Sequence, residues 1–301
     1  MLQASPMQNG ASSIFITAPD GLRLHARCYG QRSARVTPVV CLPGLTRTTD
    51  DFELLAAKLS NDGAHPRRVI ALDYRGRGLS AYDRDPANYS LAIELADLIA
   101  VVTALDALPA IFIGTSRGGI LTMLLAAVRP TAIAGAVLND IGPVIEPQGL
   151  MRIKSYVGKL PQPRNFAEGA EILRRLFGAQ FPKLRPNDWL ASAHRAFKEE
   201  NGRLVTTYDI KLANTMNGVE PERPIASLWK EFDALAHVSV MVIRGANSDI
   251  LSAATVDAMR ARHAALETLE IPDQGHAPLL AEADTIARIA SFIARSDRFL
   301  Q

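Results

Sequence analysis

The chain has 301 residues, 48% of them hydrophobic, and a formal net charge of +2. That is enough apolar side chain for one large core with an insertion, and too little net charge to call for a polyanion partner. The short cluster Arg67, Arg68, Arg75 and Arg77 has no interleaved aromatics, so it reads as solvated surface or loop anchoring rather than a nucleic-acid platform.

Residues 1–13 have neither a basic start nor an apolar stretch, and read as a loose tail rather than a signal peptide. No apolar run approaches bilayer length, so the expectation is a soluble, cytoplasmic protein with no membrane partner. Two strands are predicted at residues 14–16 and 22–29, joined by the turn signal Pro19-Asp20-Gly21. The second alternates, with Leu22, Leu24, Ala26 and Cys28 on one face and Arg23, His25 and Arg27 on the other. That pattern suits an antiparallel edge hairpin with one wet face. Cys28 and Cys41 both lie in strand-like runs, where they read as small core residues rather than a disulfide or metal site.

The pattern then changes. Residues 39–42, 69–72, 111–113, 133–138 and 238–243 are continuous apolar runs, as strands buried on both faces require. Helical patterns lie between them. Residues 51–59 carry Phe52, Leu55 and Leu59 at helical spacing. Residues 91–108 follow Ser90, a good N-cap, and precede Pro109. Residues 120–128 stop before Pro130. Alternating strand and helix predicts an α/β fold: a mostly parallel, eight-stranded sheet with helices on both faces.

The alternation breaks between residues 143 and 224. Helix-like pieces at 166–177 and 188–200 are interrupted by Pro161, Pro163, Pro182 and Pro186, and no buried strand shows. This reads as a helical cap inserted after the sixth strand, with a core made of residues 14–142 and 225–301. Strand and helix resume at 238–243, 253–262, 268–271 and 281–300.

Gly114-Thr115-Ser116-Arg117-Gly118-Gly119 stands where the fifth strand meets a helix. A turn that sharp needs glycines beside the serine, and it throws the hydroxyl clear of the sheet. A serine hydroxyl becomes a good nucleophile only when a base takes its proton, and the base needs a carboxylate to fix its tautomer. In a parallel sheet all three must lie at the C-terminal strand ends, which share one rim. His276 follows Gly275 in a loop before the last helix, and Asp249 follows the strand at 238–243. Asp140, at the end of the sixth strand, is a rival for the acid. Ser116, Asp249, His276 is the chain order expected for this fold, and Asp249 is the preferred acid. The backbone N–H of Arg117 and of Leu45, after Leu42-Pro43-Gly44, would bind the oxyanion.

These features together resemble the α/β-hydrolase family, in its capped, lipase-like serine hydrolase form. Leu-Pro-Gly-Leu at 42–45, Asp73-Tyr74-Arg75-Gly76-Arg77-Gly78-Leu79-Ser80, the Ser116 elbow, Ser248-Asp249 and Gly275-His276 carry the resemblance. It implies a Ser-His-Asp triad, a cap over the pocket, no cofactor and a small-molecule ester or lactone substrate. A carbon–carbon hydrolase of ring-cleavage diketo acids shares the triad, and a non-catalytic ligand-binding module shares the fold. Two positions depart from the family pattern. Pro43 stands where many relatives have histidine, and Arg117 replaces a common methionine, with its side chain expected to brace the elbow. No histidine pair has metal-ligand spacing, so no metal is expected. His25, His65, His194, His237 and His263 read as surface or core residues, and Asp73 and Arg75 as loop braces.

Overall fold

A computed structural model describes residues 4–6, 10–33, 36–220 and 225–297. The chain begins with a short strand β1 (Ala4–Pro6), then β2 (Ala11–Thr17) and β3 (Arg23–Tyr29). It continues through β4 (Val39–Leu42), α1 (Glu53–Ser60), β5 (Val69–Asp73), α2 (Leu91–Ala104), β6 (Ala110–Thr115), α3 (Arg117–Val128) and β7 (Ile133–Asn139). An insertion follows, made of α4 (Pro147–Tyr156), α5 (Phe166–Phe177), α6 (Pro186–Ala196) and a hairpin of β8 (Phe197–Glu200) with β9 (Arg203–Thr206). The core resumes with α7 (Trp229–Asp233), β10 (Ser239–Gly245), α8 (Ala253–Arg262), β11 (Leu266–Ile271) and α9 (Ala283–Ser296).

The main sheet has the order β1-β2-β3-β5-β4-β6-β7-β10-β11. Pairing is antiparallel from β1 to β5 and parallel from there on. Eight strands are those the apolar pattern predicts. The ninth corrects the reading of residues 1–13 as a loose tail: Ala4–Pro6 pairs with Ser12–Ile14, and β2 already begins at Ala11. A strand of three residues is too short to show a hydrophobic period in the sequence. The rest of that predicted tail, residues 1–3 and 7–9, lies outside the described residues, as do 298–300 of the predicted last helix.

Strand side chains divide between two cores with period two. Val40, Leu42, Ile70, Leu72 and Phe112 pack with Leu98, Val101 and Leu121 of α2 and α3. Val39, Cys41, Val69, Ala71, Ile111 and Ile113 pack with Phe52, Leu55 and Leu59 and with Ile286, Ile289, Phe292 and Ile293 of α9. Each such fully buried aliphatic or phenyl group contributes about 1.5–3 kcal/mol. Both cysteines are free and buried, and burial pushes the Cys41 thiol up, away from its reactive form. Ser90 caps α2 as expected, accepting from the Ile93 N–H at 3.3 Å.

The insertion has its own small core of Leu173, Phe181, Trp189, Ala193, Phe197 and Leu204, on which Leu279 packs from the body of the protein. Its helix α5 matches the predicted 166–177. The predicted helix at 188–200 instead ends at Ala196, and the chain turns into the hairpin. The reason is Asn201-Gly202, both with positive φ (52° and 71°), the pair that suits a two-residue hairpin turn.

Candidate active site

Ser116 sits between β6 and α3 with φ 52° and ψ −112°, a conformation a non-glycine residue adopts only when its surroundings force it. The glycines explain how it is tolerated. A Cβ at Gly114 would come within 2.5 Å of the Gly118 carbonyl, and one at Gly118 would strike the Leu42 carbonyl. The elbow therefore needs bare backbone on both sides of the serine. The Ser116 N–H donates to the Asn139 carbonyl at 3.0 Å, and the Asn139 amide donates to the Pro278 carbonyl at 3.0 Å. One residue at the end of β7 thus ties the elbow to the loop that carries His276.

The His276 ring lies between two partners. Nε2 is 2.8 Å from Ser116 Oγ, and Nδ1 is 2.8 Å from Asp140 Oδ2. A carboxylate can only accept, so Nδ1 carries the proton and Nε2 is left to accept the serine O–H. Asp140 is fully buried, with φ 55°. Its Oδ1 accepts the Gly245 N–H at 2.8 Å, and Oδ2 also accepts the Ser248 hydroxyl at 2.6 Å.

The expectation for Asp249 is corrected here. Its carboxylate does not bond to His276. It is gripped by Arg152 of α4, with Nε to Oδ2 at 2.6 Å and Nη2 to Oδ1 at 2.8 Å. Burial raises the Asp249 pKa, but the Arg152 guanidinium more than offsets this, and the carboxyl lies below its usual range. The physical reason is geometric. β7 and β10 are neighbours, so their C-terminal loops reach the same part of the rim. Asp140 follows β7 directly, whereas Asp249 lies beyond the end of β10 in a loop turned toward the insertion. Sequence order could not separate them. The missing signal was α4, whose arginine occupies Asp249.

The two amides expected to face an oxyanion lie on adjacent elements. Leu45 follows β4, which pairs with β6 up to Leu42 and Gly114, and Arg117 opens α3. Among the described residues neither N–H donates to a turn or loop carbonyl. The Arg117 side chain turns away from the reacting atoms, with Nε to Glu94 Oε2 at 2.5 Å and Nη2 to the Tyr89 carbonyl at 3.0 Å. Glu94 is wholly buried, and its other oxygen accepts Arg77 at 2.6 Å. Arg77 in turn donates to the Leu45 carbonyl at 2.8 Å. One buried carboxylate therefore links the Arg117 side chain at the elbow, through Arg77, to the backbone of Leu45. Arg75 braces its loop through Asp97, Asp20 and Asp83.

Ser116 and His276 border a cavity of about 510 Å³. Of the insertion's aromatic residues, Tyr156, Phe177, Phe181, Trp189 and Tyr208 line it, together with aliphatic residues such as Ile153, Leu160 and Leu173. Phe166 and Phe197 pack the insertion on itself, and Leu176 is exposed. His194 is exposed and stacks on Phe166 at the cavity edge. A polar wall went unread in the sequence. There Arg47 makes two bonds to Asp51, at 2.7 and 2.6 Å, and Arg195 reaches the same carboxylate at 3.6 Å.

A second Ser-His-Asp array lies elsewhere. His25 Nε2 is 2.8 Å from Ser13 Oγ, and its Nδ1 is 2.7 Å from Asp73 Oδ2. All three side chains are buried, and none borders the cavity. Among the described residues no helix is long and apolar enough to cross a membrane.

The profile of the alpha/beta hydrolase family matches residues 39–289. A 3-hydroxybutyrate-oligomer hydrolase from Cupriavidus necator is 32% identical over 278 residues, 89% of this chain and 93% of that relative. The Escherichia coli esterase YbfF is 37% identical over 125 residues, 41% of this chain and 46% of that protein. A solved alpha/beta hydrolase from Novosphingobium aromaticivorans is 40% identical, with a TM-score of 0.88, over 95% of this chain and 99% of its own. With that profile running through the core and a near full-length relative above 30% identity, this chain belongs to the alpha/beta hydrolase family.

Proposed function

We propose that the protein is a serine hydrolase of small or medium carboxylic esters or lactones, working through an acyl-enzyme. The observation that carries this is the unbroken chain Ser116 Oγ, His276 Nε2, His276 Nδ1, Asp140 Oδ2, with 2.8 Å at each end, opening on a mostly apolar cavity. Ser116 attacks the carbonyl carbon as His276 takes its proton. Asp140 holds the imidazole in place and offsets the charge it gains. The N–H groups of Leu45 and Arg117 bind the oxyanion, aided by the N-terminus of α3. His276 then protonates the leaving alcohol. A water, deprotonated by His276, attacks the acyl carbon, and Ser116 recovers its proton as the acid departs.

The relative that acts on 3-hydroxybutyrate oligomers makes short hydroxy-acid esters sensible first substrates. A panel of such esters, lactones and nitrophenyl esters, run with wild type and Ser116→Ala, tests the reading. Turnover by wild type that disappears in the variant supports it. Equal turnover by both contradicts it, and attack on vinylogous diketo acids alone would move the assignment to carbon–carbon cleavage.

A further inference from the structure

The hydroxyl of Ser248 has only one place to send its proton. Its oxygen accepts two backbone amides, Ile250 N–H at 3.2 Å and Leu251 N–H at 3.1 Å. Both lone pairs are then occupied, so the O–H must donate to its remaining neighbour, Asp140 Oδ2, at 2.6 Å. That is the oxygen that also takes the His276 Nδ1 proton. The other oxygen of Asp140 is held by the Gly245 N–H. A wholly buried carboxylate is costly to keep ionised unless several donors meet it, and this one meets three.

We propose that Ser248 is a positioning residue for the catalytic reaction, acting on His276 through Asp140; this rests on the serine-hydrolase reading. It does two things. It fixes the carboxylate's rotation so that Oδ2 stays in line with the imidazole. It also draws electron density from Oδ2, so that the proton remains on Nδ1 without binding the imidazolium too tightly. Ser248 does not border the cavity and touches no reacting atom. Asp249 is a charged neighbour of His276; it is paired with Arg152, and its carboxylate makes no hydrogen bond to the ring.

Losing the hydroxyl leaves Asp140 a stronger proton acceptor and less well aimed. In Ser248→Ala we expect kcat to fall about tenfold with KM unchanged, and the acid limb of kcat/KM to move up by about half to one pH unit. Ser248→Thr, which keeps a hydroxyl, should restore both. A turnover-free readout is the low-field proton resonance of His276 Nδ1–H in the resting protein, which should move in the alanine variant and return in the threonine variant. An alanine variant with wild-type rate, acid limb and resonance would overturn the proposal. If that variant does not fold, Ser248→Cys, similar in size but a weaker donor, should show an intermediate acid limb and resonance; wild-type values there would also overturn it. A wild type that turns over no ester and takes no active-site probe would defeat the hydrolase reading, while the resonance would still decide the role of Ser248.

Discussion

Two parts of this molecule hold a serine, a histidine and an aspartate at nearly the same distances. In one, Ser116, His276 and Asp140 join the ends of β6, β7 and the loop after β11. In the other, Ser13, His25 and Asp73 join β2, β3 and β5 within the sheet. The hydrogen bonds alone do not separate them. What differs is everything around the serine. Ser116 is held at positive φ on a glycine elbow, at the head of a helix, beside a cavity. Ser13 lies in an extended strand, buried, and does not border the cavity. There the array serves the fold: Asp73 also accepts the N–H groups of Thr49 and Leu79, and so ties the loop after β4 to the loop after β5. A hydrogen-bonded serine, histidine and aspartate can serve catalysis only where strain, oxyanion donors and space meet the nucleophile.

Substitutions can break this contrast from either side. The largest effect is expected at Ser116. Ser116→Ala should cut kcat at least about a thousandfold with the melting temperature unchanged, whereas Ser13→Ala should keep kcat, as paired steady-state assays and melts will check. Next is the acid. Asp140→Asn should lower kcat by about 10⁴, because an amide cannot hold the same imidazole tautomer, while Asp249→Asn should lower it less than about tenfold. The structural array should show the converse. Asp73→Asn strands buried partners and should lower stability by about 1–3 kcal/mol in denaturant melts, with kcat per folded molecule near wild type.

The smallest effect concerns Asp249 and pH. Its carboxyl is depressed in the folded protein, so the stability it contributes is present above its unfolded value, about 3.9, and is lost as pH falls through the folded one. Asp249→Asn should therefore flatten the loss of stability below about pH 4. The difference should be about 1 kcal/mol or less, since Arg152 and Asp249 remain partly open to water. Urea midpoints from pH 3 to 6 would measure it.

The buried strands were legible because each is a run of residues that must be dry on both faces. The elbow was legible because its glycines are demanded by steric contact within a few residues. His276 was legible from its place after Gly275 in a strand-end loop. The carboxylate that meets His276 was not, because the choice between Asp140 and Asp249 depends on where two neighbouring loops aim their side chains. That aim is set by a positive φ at Asp140 and by Arg152 in a helix whose sequence gives little warning of it. The β8–β9 hairpin was missed although Asn201-Gly202 signals it, because the helical pattern before it was carried too far. The Ser13–His25–Asp73 array was invisible for a different reason: its members meet only through strand register, in which Phe15 pairs with His25 and His25 with Asp73.

The most direct test is to map the adduct of a fluorophosphonate probe by mass spectrometry and to compare its rate of formation in three proteins. The account predicts labelling of Ser116 and not Ser13, at least about a hundredfold slower in Asp140→Asn and little changed in Asp249→Asn. Labelling of Ser13, or a rate that collapses in Asp249→Asn while surviving in Asp140→Asn, would contradict it.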